Sequence, residues 1–208
     1  MGNDSSKHPQ HGKEDGTKKS QSSSVIAALK PGPSNSTVQK HLDMAKKSRV
    51  LSLKGSNLKN VPDAVLEVAP LIRSLDLSQN RLQSLRKFFG EFEMLKQLHL
   101  NDNALISLPD ELGNLKKLEV LNLNGNQLTS LPDTLVGCMA LHHLNLSNNQ
   151  FSEFPNVVCL LPRADIVDIS HNNIRELPDD IGKITASELN LNNNKLIALN
   201  PSLSMATR

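Results

Sequence analysis

The sequence predicts an α/β solenoid: a curved stack of coils with a parallel sheet on its concave face, a short helix over one end and a disordered arm in front. Three observations carry this reading. Leucines and an asparagine recur in one frame every 22–24 residues over most of the chain. An amphipathic stripe stands just ahead of the first copy. The residues before that stripe are too polar to bury anything, and hydrophobic residues make up only 38 % of the chain.

The frame is clearest in Leu75-x-Leu77-x-x-Asn80-x-Leu82-x-x-Leu85. It returns as Leu98, Leu100, Asn103, Leu105, Leu108; as Leu121, Leu123, Asn126, Leu128, Leu131; and as Leu144, Leu146, Asn149, Phe151, Phe154. Val167, Ile169, Asn172, Ile174, Leu177 and then Leu189, Leu191, Asn194, Leu196, Leu199 follow. A weaker first copy is Leu51, Leu53, Leu58, Val61, with Ser56 in the asparagine place. In each L-x-L the two apolar side chains point inward and the middle one outward, because strand side chains alternate. Neighbouring copies therefore pair their strands in parallel. The asparagines Asn80, Asn103, Asn126, Asn149, Asn172 and Asn194 end the strands, and their amides are placed to satisfy backbone groups of adjacent turns. Losing one is expected to cost about 1–3 kcal/mol. Two apolar positions nine and twelve residues past the asparagine close each coil on the convex side: Phe89/Phe92, Leu112/Leu115, Leu135/Cys138, Val158/Leu161 and Ile181/Ile184. Cys138 is thus a core residue, Cys159 falls one step off the register, and Phe88 is ambiguous.

Ahead of the first copy, Ser36-Thr37-Val38-Gln39 fits a capping box, with Ser36 as N-cap and Gln39 at N3. Val38, Leu42 and Ala45 form an i, i+4, i+7 stripe, and Lys46 and Lys47 suit a helix C-terminus. Residues 37–48 are read as a cap helix, 49–200 as about seven repeats and 201–208 as an uncapped tail. Ala164 and Ala186 stand where earlier copies have leucine, so the array weakens toward that end.

Residues 1–36 form the arm, rich in Ser, Lys, Gly and Pro. Charge is uneven: residues 1–49 hold nine basic and four acidic side chains, the rest 14 and 17. Met1-Gly2-Asn3-Asp4-Ser5-Ser6 fits the N-myristoylation pattern M-G-x-x-x-[ST], with Gly2 as acceptor. One acyl chain holds a bilayer only marginally. Lys7, Lys13, Lys18 and Lys19 supply a second, electrostatic signal at up to roughly 1 kcal/mol each near anionic lipid, and Asp4, Glu14 and Asp15 undercut it. The expectation is reversible attachment and a cytoplasmic protein with partial membrane association. Val25-Ile26-Ala27-Ala28-Leu29 is the one apolar run in the arm.

No catalytic motif is found: no G-x-x-x-x-G-K-[ST], no G-x-S-x-G, no H-E-x-x-H. Cys138 and Cys159 have no metal-site spacing, and His99 and His143 stand two strands apart, roughly 10 Å. No cofactor, metal or enzymatic activity is expected. What remains is a surface. Asp76, His99, Asn122, Asn145, Asp168 and Asn190 are the middle residues of successive L-x-L units, with Ser52 the first of the series. The preceding column runs Val50, Ser74, Gln97, Val120, His143, Ile166, Glu188, and a flanking column runs Lys54, Ser78, Asn101, Asn124, Ser147, Ser170, Asn192. Arg73 and Lys96 edge it. This polar concave face with a few apolar studs suits a protein partner. It does not suit nucleic acid, which needs clustered Lys/Arg.

The repeats, L-x-x-L-P-x-x-L-x-x-L-x-x-L-x-L-x-x-N in consensus, resemble the leucine-rich repeat family over about residues 49–200, in the style of its intracellular Ras-associated subgroup. The resemblance implies a concave parallel sheet and protein–protein scaffolding, with a small GTPase or a phosphatase as the kind of partner. The chain departs from the subgroup in its longer basic arm, in Arg86 where proline is usual, and in its early end. A soluble cytosolic adaptor or regulatory subunit without lipid is the alternative reading.

Overall fold

The computed structural model describes residues 32–198 and 201–202. The arm before residue 32, with Gly2, Lys7, Lys13, Lys18 and Lys19, lies outside them. Helix α1 (Asn35–Ser48) leads into seven three-residue strands: β1 (Val50–Ser52), β2 (Ser74–Asp76), β3 (Gln97–His99), β4 (Val120–Asn122), β5 (His143–Asn145), β6 (Ile166–Asp168) and β7 (Glu188–Asn190). They form one sheet in chain order, every pair parallel. The register sets Leu51, Leu75, Leu98, Leu121, Leu144, Val167 and Leu189 side by side. This is the alignment expected from the repeat frame.

Connections return over the convex side. Five are tight 3-10 turns: Asp63–Val68, Lys87–Glu91, Asp110–Asn114, Asp133–Gly137 and Asp179–Lys183. Four of them follow a proline, whose fixed φ suits the turn entry. The second follows Arg86 instead. Its guanidinium pairs with Asp63 of the turn before and lies 5.4 Å from the centroid of the Phe88 ring. This pair is exposed and adds little stability. The remaining connection contains a short helix, α2 (Asn156–Cys159), in which Val157, Val158 and Cys159 are all buried.

One continuous apolar core runs along the stack. Phe89, Phe92, Phe151 and Phe154 are buried in it as the register requires, and Phe88 packs against it half-buried. Cys159 is buried too, although the register placed it one step off. It stands ten residues past Asn149, where the coils of Asn80, Asn103 and Asn172 have Gly90, Gly113 and Gly182. The α-helical turn of that coil turns its side chain inward. Both cysteines are free thiols. Burial raises each pKa to about 11, helped at Cys159 by the nearby Asp180 carboxylate, and the Cys138 thiol donates to the Leu112 carbonyl at 3.3 Å. A thiol that resists ionisation in the fold favours unfolding once the free thiol ionises. These two groups therefore leave stability untouched below about pH 9 and reduce it as pH rises toward 11. Iodoacetamide at pH 8 should label neither cysteine in the native protein within an hour and both in urea. Fast native labelling would contradict this burial.

The N-terminal end of the core is covered by α1, through Val38, Leu42 and Ala45. The helix begins earlier than the sequence suggested. Ser34, not Ser36, is the N-cap, its Oγ accepting from the Thr37 N–H at 3.2 Å. Gln39 then lies too deep in the helix to reach back and donates to Asp43 at 3.2 Å, so there is no capping box. Arg49 ends the helix in the left-handed conformation (φ 62°), its N–H donating to Ala45 at 2.7 Å. At the other end, β7 is the last strand among the described residues. Leu189, Leu191 and Leu196 are only partly buried there, as is Ala186, whereas Ala164 is fully buried.

Candidate protein-binding face

The asparagine ladder fixes how the coils stack, and so shapes the concave face. In every coil from the second onward the amide reaches back one coil. The Asn80 Oδ1 accepts from Leu58 N–H at 2.9 Å, and its Nδ2 donates to the Leu53 and Leu77 carbonyls at 2.9 and 2.8 Å. Asn103, Asn126, Asn149, Asn172 and Asn194 repeat this with Leu82, Leu105, Leu128, Phe151 and Ile174 as donors. Each amide thus satisfies backbone groups that strand pairing leaves open. The first coil has only the helix behind it and nothing to bridge backward. Ser56 there merely approaches the Lys54 carbonyl of its own coil at 3.5 Å.

The middle residues of the strands line the trough, but most serve the backbone as well. Asp76, Asn122, Asn145, Asp168 and Asn190 each accept, through Oδ1, the N–H of the residue two positions on, at 2.9, 3.2, 3.0, 2.9 and 3.1 Å. These are Asx turns, which end a strand by giving its last amide a side-chain partner. Five of the seven residues expected to bind a partner therefore spend one polar atom on strand termination. His99 and His143 do not: no hydrogen bond is made by either side chain among the described residues, and both are half-buried in the sheet face. The flanking serines also differ from expectation. Ser78, Ser147 and Ser170 are buried rather than displayed, and the Ser78 and Ser147 hydroxyls donate to Asp76 and Asn145 at 2.6 and 2.8 Å. A short polar side chain at a strand end folds back into its own turn, which alternation alone does not foresee.

What projects freely is narrower than the three columns: His99 and His143 with the apolar studs Val50, Val120 and Ile166 along the middle, and the exposed Ser52, Lys54, Glu188 and Asn192 at the two ends. Val50 and Ile166 are 51 % and 36 % exposed. Gln97 is tied to Ser74, whose hydroxyl donates to its Oε1 at 3.3 Å. Along the rim Lys96 meets Glu119 at 2.6 Å, so one of the two basic residues expected there is neutralised. Arg49 and Arg73 give the N-terminal side a positive cast, and Asp165, Asp168 and Glu188 make the C-terminal side negative. Among the described residues no group of three or more His, Cys, Asp or Glu side chains is placed to hold a metal, and no helix is long and apolar enough to cross a membrane.

A parallel-sheet solenoid stitched by an asparagine ladder, with a polar trough on its inner side, is the architecture of a repeat protein. The leucine rich repeat model matches residues 48–105 and 93–151, half of the chain, and the protein belongs to the leucine-rich repeat family. Solved structures agree in fold. A leucine-rich repeat protein of Leptospira interrogans superposes with a TM-score of 0.63 at 24% identity, over 81% of this chain and 55% of that one. The leucine-rich repeat domain of APL1B gives 0.65 at 24%, over 82% and 52%. The leucine-rich repeat ectodomain of the plant receptor kinase GASSHO1/SCHENGEN3 from Arabidopsis thaliana, solved in complex with Casparian strip integrity factor 2, gives 0.54 at 28%, over 66% and 20%. The chain thus spans about half the length of the first two and a fifth of the third. Domains of this family are generally protein–protein interaction modules.

Proposed function

We propose that this protein is a non-enzymatic interaction module whose concave face holds one folded protein partner, and that its arm tethers the module reversibly to a membrane through an N-myristoylated Gly2. The observation that carries the first part is the trough itself: His143 stands between the studs Val120 and Ile166, with His99 one strand beyond Val120, and neither imidazole makes a hydrogen bond among the described residues. Exposed apolar groups beside unsatisfied donors and acceptors are what a protein surface can cover with gain. The second part rests on the M-G-x-x-x-[ST] start and the lysines behind it. In its Met1-Gly2-Asn3 start, cap helix and short array the chain is similar to leucine-rich repeat-containing protein 57, a small protein built of such repeats. By that analogy the partner belongs to small-GTPase or phosphatase signalling and the protein is cytoplasmic, partly at membranes.

One set of preparations tests both parts. Protein made with N-myristoyltransferase should gain the mass of one myristoyl group, and Gly2→Ala should not. An unmodified wild type would leave the soluble adaptor as the better reading. Affinity capture with wild type should lose its specific partners in a His99→Ala/Val120→Glu/His143→Ala variant. These positions are chosen because none closes an Asx turn, so the coils stay intact. Identical partner sets from a folded variant would remove the binding role from this face.

A further inference from the structure

The sheet has an unpaired edge at β1, and the space beside it is shaped for a strand. Arg49 and Leu53 direct backbone groups at β2: the Arg49 carbonyl accepts from Arg73 at 2.8 Å and the Leu53 N–H donates to Asp76 at 2.8 Å. By the alternation of a parallel ladder, Val50 and Ser52 turn theirs to the open side. Ser48 Oγ takes up both groups of Val50, at 3.2 and 3.1 Å. The N–H and C=O of Ser52 bond nothing among the described residues. A groove of about 580 Å³ runs along this edge, lined by His41, Met44, Ser48, Val50, Ser52 and Lys54, and Ser56 closes its lower end. Its wall is largely apolar: Met44 and Val50 are 58 % and 51 % exposed. At its side the Nδ1 of His41 is buried with no hydrogen-bond partner among the described residues. Buried ring nitrogens are rarely left so.

The chain itself leads to this groove. Gly32 lies against the carbonyls of Ser56 and Asn57, each 3.9 Å from where its Cβ would stand. Only Lys30 and Pro31 separate it from Val25-Ile26-Ala27-Ala28-Leu29, the apolar run of the arm. Three links from Gly32 to Leu29 span about 10 Å when extended, so Leu29 reaches the lower part of the groove. Five extended residues cover about 17 Å, enough to run past the roughly 10 Å of β1 to where the chain turns at Lys54 and Gly55. Alternate side chains of such a strand, Val25, Ala27 and Leu29 or Ile26 and Ala28, would lie over Met44 and Val50.

We propose that Val25–Leu29 of the same chain docks in the groove between α1 and β1 as an added strand. Its backbone meets the N–H and C=O of Ser52, its apolar side chains cover Met44 and Val50, and one of its backbone groups satisfies His41 Nδ1. The docked strand divides the arm. Residues 1–24 alone remain as tether, so the trough is held closer to whatever Gly2 is attached to. The inference stands whether or not Gly2 is acylated.

Hydrogen–deuterium exchange of the full chain, read by mass spectrometry, tests it. Amides of 25–29 and of Ser52 should exchange at least tenfold more slowly than those of a synthetic peptide of residues 20–31 or of an Ile26→Asp chain. Val50→Asp, at an exposed position, should release residues 25–29 while the coils from residue 74 onward keep their protection. Free exchange of 25–29 in wild type would overturn the proposal, as would protection that survives Val50→Asp. Protection that appears only at high protein concentration would assign the groove to a second copy and overturn it equally.

Discussion

Asn149→Ala is expected to cost about 2–3 kcal/mol, as much as any single polar side chain in the stack. The side chain is 7 % exposed. Its removal strands the Leu128 N–H, whose bond to Oδ1 is 3.0 Å, and takes one of two amide donors from the carbonyls of Leu123 and Leu146, which keep Asn126 and Asn172. Each buried group stranded in this way costs about 1–3 kcal/mol, and the small cavity left behind adds to it. In a stack where each coil touches only its neighbours, the penalty falls on the fourth and fifth coils and splits the array in the middle. Urea unfolding should show a much lower midpoint or two transitions. Asn194→Ala is the internal control. It makes the same bonds to Ile174 N–H and to the Ile169 and Leu191 carbonyls, but it is only half-buried. Water replaces what it loses, and the cost should stay near 1 kcal/mol. A central variant no worse than the terminal one would mean that the ladder is not what holds the coils together.

Gly113→Ala is expected to be comparably destructive for a different reason. A Cβ on Gly113 would stand 2.1 Å from the Thr134 carbonyl oxygen and 2.7 Å from its carbon, both backbone atoms of the next convex turn. Neither turn has a side chain that can swing away. The coils must separate, and packing is lost on both sides, so a cost of about 3 kcal/mol or more is expected by analogy with overpacked cores. Gly55→Ala separates this steric effect from backbone preference. Gly55 has φ +62° and open space around its Cβ position, so its cost should be the left-handed penalty alone, about 1 kcal/mol. Thermal unfolding of the two variants side by side checks the ranking. Equal shifts would show that the convex turns slide apart freely.

The legible part of this protein was everything that repeats. Leu75, Leu98, Leu121 and Leu144 align in the sheet as spaced, and Asn80 through Asn194 make the ladder for which an amide at the end of a strand is suited. Periodicity works here because every coil faces the same environment, so one physical solution is copied. Legibility failed where the environment is not copied. The cap helix borders the array on one side only, and its start was set by Ser34 beside Pro33, not by the more conspicuous Ser36/Gln39 pair. Cys159 is buried because its coil turns through an α-helix where the others use 3-10 turns. On the concave face, outward-pointing Asp76, Asn122, Asn145, Asp168 and Asn190 looked like one class with His99 and His143. Only a carboxamide or carboxylate is short enough to reach the N–H two residues on, so the five close turns and the two imidazoles do not.

By itself, then, the sequence determined the number of coils, the inward and outward sides, the ladder and the family, because spacing along a chain becomes position in a stack when each turn copies the last. The tertiary structure alone decided which polar groups stay free for another molecule, that Ser78, Ser147 and Ser170 hide, and that β1 keeps an unsatisfied edge beside a groove next to Gly32. Those features depend on what lies across space from a residue, and no interval counted along the chain records that.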